Sequence, residues 1–175
     1  ITKQNYIDAS LGTPVSLQEG FEGNPFPPLQ WQLASQGGTW QHVDTVGGFG
    51  LSTHSAFFDN YNYDAGGRHD ALIAPKADLS DADSAYVTFD VAYAPYSAAY
   101  PDSLMVGLST DCGHTYTPVY VKWGDPLATA PANGSYFVPA AAEWRKDTIS
   151  LNAWLGNSVQ LSFENIGHYG NTLYI

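Results

Sequence analysis

Between Phe58 and Asp70 the chain runs Phe58-Asp59-Asn60-Tyr61-Asn62-Tyr63-Asp64 and then, past a Gly-Gly pair, Arg68-His69-Asp70. Carboxylate and amide oxygens at this density are the chemistry of a hard cation, since calcium gathers roughly six to eight oxygen ligands from Asp, Asn and backbone carbonyls. Asp59, Asn60 and Asp70 are the candidate ligands. The same residue types make turns with no ion present, and no EF-hand or other contiguous signature singles out a metal. Tyr61 and Tyr63, with Tyr96 and Tyr100 further on, lie in loop-like sequence. A flat apolar ring with a polar tip suits a sugar or a protein surface, and it suits packing across strand ends equally well.

A second pattern, Ser109-Thr110-Asp111-Cys112-Gly113-His114-Thr115-Tyr116, resembles the Asp box, S-x-D-x-G-x-T-W, with Tyr116 where Trp is usual. Its physics points to a structural role. Asp111 accepts backbone N–H groups of its own turn, Gly113 supplies a positive φ, and Tyr116 anchors the returning strand in the core. Other chemistry is poorly represented. His42, His54, His69, His114 and His168 are scattered, without the spacing that brings two imidazoles to one zinc. There is no nucleophile elbow, no phosphate-binding glycine loop and no local nucleophile signature around Cys112. Seventeen acids offer many carboxylate pairs, but their separations cannot be read from sequence, so no residue is assigned as catalytic. Asn133-Gly134-Ser135 is a formal glycosylation sequon that also reads as a plain turn.

The elements that must hold these residues are short strands. Val87, Phe89, Val91 and Tyr93 alternate with Thr88, Asp90 and Ala92. The same period of two returns in Leu104-Val106-Leu108, Val119-Val121-Trp123, Ile149-Leu151 and Val159-Leu161-Phe163, and more weakly in Leu17-Glu19-Phe21. About nine strands are expected, with turns between them and no helix long enough for a crossover. This predicts an all-β, antiparallel sandwich of jelly-roll topology. Residues 15–175 form one domain, residues 1–14 read as a linker from a preceding module, and Pro126–Ala142 is also linker-like. Thirteen of the 17 acids are Asp, and the net charge of −11 removes any basic surface for a phosphate backbone, so nucleic acid is excluded as a partner. The single Cys112 allows no internal disulfide, and no apolar span or leader is visible.

Taken in order, EGFEGNPFPPLQW, GGTW, FFDNYNYDAGGRHDALIAPKADLS, VTFDVAYAPYS, YPDSLMVGLSTDCGHTY, LATAP, AAEWRKDTISLNAW and YGNTLYI are similar to the choice-of-anchor J or cleaved-adhesin jelly rolls of Bacteroidetes, relatives of the MAM domain. The resemblance runs from about Val15 to Ile175. It implies a non-catalytic accessory or adhesion domain of a secreted, multidomain protein, attached to a peptidase or other hydrolase and working at the cell surface or outside the cell. Its partners would be neighbouring domains and an extracellular protein or glycan, with no membrane insertion. The alternative is a carbohydrate-binding module with an aromatic platform; a catalytic domain is a third class. The resemblance also implies a structural calcium site with Glu22 of the opening Phe-Glu pair as one half. In the family the other half is an acidic residue just past the Leu-Tyr-Ile stretch, where this chain stops at Ile175.

Overall fold

A computed structural model describes residues 5–9, 16–50 and 52–175. The described strands are β1 (Asn5–Ala9), β2 (Ser16–Glu19), β3 (Gln32–Ala34), β4 (Gln41–Val43), β5 (Ser55–Phe58), β6 (His69–Ile73), β7 (Ala77–Asp78), β8 (Ala85–Tyr93), β9 (Ser103–Ser109), β10 (Thr117–Trp123), β11 (Arg145–Ser150), β12 (Ser158–Ile166) and β13 (Leu173–Tyr174). They make two antiparallel sheets. The first has the order β2-β1-β8-β13-β5-β4 with β11 on the other side of β8, and the second the order β10-β9-β12-β6-β3 with β7 on β12. The chain passes back and forth between the sheets (β5 to β6, β8 to β9, β10 to β11, β12 to β13), which is jelly-roll alternation in a β-sandwich.

The core lies where the alternation places it. Val87, Phe89 and Val91 of β8 face Leu104, Val106 and Leu108 of β9 and Leu161 and Phe163 of β12, all buried. Phe89 meets Phe163 edge-on with ring centroids 5.4 Å apart, joining the two sheets. Full burial of side chains of this size contributes about 1.5–3 kcal/mol each, which makes this layer the main stabilising element.

Three segments differ from what the sequence suggests. Residues 5–9, read as part of a linker, form β1 and pair with both β2 and β8; residues 1–4 and 10–15 lie outside the described residues. The stretch 126–142 is not a free connection: Leu127 and Phe137 are buried, and Phe137 joins Val46, Ala92, Ala94, Trp144 and Tyr174 in a second apolar cluster on the outer face of the first sheet. In β10 the register shifts between Pro118 and Tyr120. Tyr120 therefore turns inward against Phe89, at 5.3 Å, while Val121 and Trp123 face solvent, 45% and 55% exposed.

The β7–β8 and β11–β12 connections cross between the sheets at one end, while the β5–β6, β8–β9, β10–β11 and β12–β13 connections all cross at the other, where their loops cluster. They carry most of the candidate residues.

Candidate functional site

The loop end is tied together by one buried carboxylate, Asp102, just before β9. It accepts the backbone N–H groups of His168 (2.8 Å), Gly170 (3.2 Å) and Asn171 (2.7 Å) and the Tyr93 hydroxyl (3.2 Å). Burial raises its pKa above the ordinary value, while these four donors pull in the opposite direction. Asn171 continues the brace. Its amide donates to the carbonyls of Asn133 and Ser135 and its carbonyl accepts the Phe137 N–H, which pins the long β10–β11 connection over the end of the first sheet.

On this frame three of the four candidate tyrosines converge. Tyr61 packs edge-on against Tyr96 (6.1 Å between centroids), Tyr96 against Tyr100 (5.9 Å), and Tyr61 against Tyr136 (5.6 Å). Tyr96, Tyr100 and Tyr136 remain about two-fifths exposed, so the patch presents ring surface and hydroxyls to solvent. Tyr136 is the member that sequence reasoning missed, because it sits in the stretch read as linker. Burial and then the negative charge of Asp59 push its hydroxyl pKa up, which sets Asp59 beside the patch.

Tyr63 points elsewhere. It packs on Phe58 (6.2 Å), donates no ring to the patch, and its hydroxyl accepts from Arg68 Nη2 at 3.0 Å. With Phe58 it walls a neighbouring cleft of about 330 Å³ whose other sides are Ser35, Gly37, Gly38, Thr39, Gln41, Asp59 and Asn62. That volume lies at the small end of the roughly 300–1,000 Å³ of small-molecule pockets. Asp59 holds its rim in shape by accepting the N–H and the side-chain amide of Asn62, at 3.0 and 2.9 Å. Aromatic wall, carboxylate, amides and hydroxyl groups together are the lining that a polyhydroxylated ligand requires.

No protein-family model and no curated protein matches this sequence. Solved structures do. The K1 cleaved adhesin domain of Lys-gingipain from Porphyromonas gingivalis W83 matches with a TM-score of 0.55 over 90% of this chain and 95% of its own, at 17% identity. The fold is that of a cleaved adhesin domain. The K2 domain of Lys-gingipain gives 0.54 over 89% and 92% at 16% identity. TmCBM61 in complex with β-1,4-galactotriose gives 0.53 over 89% and 88% at 14% identity. At these identities the likeness is one of fold.

The residues considered for calcium do not share a centre. Glu22 accepts from Ser52 Oγ (2.8 Å), Thr53 N (3.0 Å), Thr53 Oγ1 (3.0 Å) and His54 Nδ1 (2.7 Å), so its lone pairs are taken by donors. Burial would raise its pKa, but these hydrogen bonds outweigh it and bring it from 4.5 down to about 2. Asn60 is buried in a reciprocal amide pair with Asn165, both contacts 2.9 Å, and Asp70, opposite Asn165 across the β6–β12 ladder, accepts from Gln36 N at 2.6 Å. Asp59 serves Asn62. Among the described residues no group of three or more His, Cys, Asp or Glu side chains is placed to hold a metal ion. As placed, these side chains do not fit a calcium shell, because the donors around Glu22 and Asp59 occupy the oxygens that an ion would need.

The Ser109–Tyr116 turn is closed on itself. Asp111 accepts Thr115 N (2.9 Å), Thr115 Oγ1 (2.6 Å) and Ser109 Oγ (2.7 Å), and these bonds hold its pKa below the usual carboxylate range. Cys112 and Gly113 both take positive φ, 64° and 84°, and a Cβ at Gly113 would sit 3.0 Å from the Tyr116 hydroxyl. Tyr116 lies over Gly107 on the outer face of the second sheet and not in the core, since residue 107 points opposite to Val106 and Leu108.

Proposed function

We propose that this chain is a non-catalytic attachment module of a secreted, multidomain protein, and that its ligand is a glycan held at the loop end of the sandwich. The observation that carries the proposal is the convergence of Tyr61, Tyr96, Tyr100 and Tyr136 from three separate loops beside a polar cleft that shares Asp59 with them. Rings with polar tips stack on the apolar faces of sugars while carboxylate and amide groups bond the hydroxyls. The cleft contains a single carboxylate, Asp59, whereas glycoside hydrolysis ordinarily needs a flanking pair, and this favours holding over cutting. Attachment to a peptidase or other hydrolase, and work outside the cell, follow from the sequence resemblance. A fold shared with cleaved adhesin domains and with a module solved on a galactotriose supports both parts of the proposal.

The test is affinity electrophoresis of the isolated chain through gels containing neutral polysaccharides. Wild type is expected to be retarded by at least one of them, and the quadruple variant Y61A/Y96A/Y100A/Y136A, checked for a retained fold, to run freely. Equal retardation of a folded quadruple variant, or no retardation of wild type on any polysaccharide, rejects the glycan site.

A further inference from the structure

The β8–β9 loop that presents Tyr96 and Tyr100 also builds a second cleft, of about 270 Å³, with its other residues: Pro95, Ser97, Ala98 and Pro101 line it, with Trp123 at the end of β10 and Asp125 in the helical turn Gly124–Leu127 that follows. Trp123 is the most exposed of the five tryptophans, at 55%, and the register shift in β10 is what turns it outward. Gly124 then takes φ +51, a value that L side chains rarely adopt, and its N–H donates to the Asp102 carbonyl at 3.2 Å. This sharp bend sets Asp125 into the same cleft as the indole. Among the described residues none gives the Asp125 carboxylate a hydrogen bond or an ion pair. An exposed indole is costly to leave in water, and Val121 at 45% exposure lies two residues before it on the same face.

We infer that the Trp123–Asp125 cleft is a second sugar subsite for the same glycan, so that the ligand is an extended neutral oligosaccharide spanning the β8–β9 loop. The inference rests on the glycan reading of the tyrosine patch and extends it. An indole face receives the apolar face of a pyranose, the free carboxylate accepts its hydroxyls, and the prolines keep the walls rigid so that little ordering entropy is lost on binding. Neutrality follows from charge. Neither cleft has Lys or Arg among its lining residues, each contains one Asp, and the whole chain carries −11, so uronic or sulfated sugars are repelled. Two subsites on one loop make binding depend on chain length, because the second contact is intramolecular once the first is made.

The test is isothermal titration and tryptophan fluorescence with β-1,4-linked gluco-, manno- and galacto-oligosaccharides from di- to hexasaccharide, on wild type, Trp123→Ala, Asp125→Asn and the quadruple tyrosine variant. Trp123 is exposed, so its removal leaves the fold intact, verified by an unchanged melting curve. Wild type is expected to bind a hexasaccharide with a change in fluorescence, and Trp123→Ala to weaken that binding roughly tenfold or more while leaving disaccharide affinity unchanged. The Asp125→Asn variant should weaken it less. Hexasaccharide affinity equal in Trp123→Ala and wild type, with loss only in the tyrosine variant, overturns the second subsite and leaves the tyrosine site standing. Binding of choline or a lysine-rich peptide by wild type, lost in Trp123→Ala, with no oligosaccharide bound, would show a cation-recognising cleft and overturn both.

Discussion

Asp102 is the residue on which the loop end depends. Removing its carboxylate leaves three backbone N–H groups and a buried tyrosine hydroxyl without acceptors, and unsatisfied buried donors cost about 1–3 kcal/mol apiece before relaxation. Asp102→Ala should therefore destabilise the fold by about 3 kcal/mol or more in denaturant unfolding, with Asp102→Asn intermediate; an effect under about 1 kcal/mol would mean that water takes over the role. Glu22 acts at the surface and through pH. Its folded pKa is lowered, so its contribution is complete above its unfolded value of 4.5 and is lost as pH falls toward about 2. Wild type should lose stability across that window, and Glu22→Gln should show a shallower slope there. Since donors already fill the Glu22 carboxylate, thermal melts in calcium and in chelator at equal ionic strength should superimpose; a higher melting temperature in calcium would mean that the ion displaces Thr53 and His54. Neither carboxylate's role is legible in sequence. An Asp ahead of a strand looks like any turn residue, and Glu22 meets its partners some thirty residues away.

At the scale of elements, period-two alternation reveals β8, β9 and β12 because both halves of the pattern agree: apolar side chains on one face, small or polar ones on the other. In β10 it reveals the strand but inverts the faces. Val119, Val121 and Trp123 look like a core stripe, yet the bulge after Pro118 sends Tyr120 inward, where its hydroxyl donates to Asp147 at 2.6 Å beside Lys122 and Arg145. A one-residue shift moves every side chain to the opposite face, and nothing local in the sequence announces it except a proline on an edge strand. Val121→Thr should accordingly stay within about 0.5 kcal/mol of wild type, while Tyr120→Phe should cost about 1–2 kcal/mol by leaving Asp147 short of a donor. The reverse order in chemical denaturation would put Val121 in the core. The stretch 126–142 was opaque for another reason. Its Ala, Pro and Gly content is that of a linker, and only the tertiary contacts of Phe137 with Trp144 and Tyr174 bury it.

For the whole molecule, two packed sheets whose β5–β6, β8–β9, β10–β11 and β12–β13 crossings gather at one end present a set of loops side by side, a geometry suited to binding. The tyrosines at 61, 96, 100 and 136 could be named one by one as loop aromatics, except for the last, but their meeting could not be read, because the first and the last are 75 positions apart with five strands between them. The fold was legible because alternation repeats in every long strand; the site was not, because it exists only where loops from different strands come together. The glycan proposed for this end of the sandwich can be located on the molecule residue by residue. The most direct measurement is a two-dimensional NMR titration of the isotopically labelled chain with a neutral oligosaccharide cut from a polysaccharide that retards it in gels. Shifts are expected to be confined to the β3–β4, β5–β6, β8–β9 and β10–β11 loops and to centre on Asp59, Tyr61, Tyr96, Tyr100, Trp123 and Tyr136. Shifts centred on a sheet face, with these loops unmoved, would contradict it.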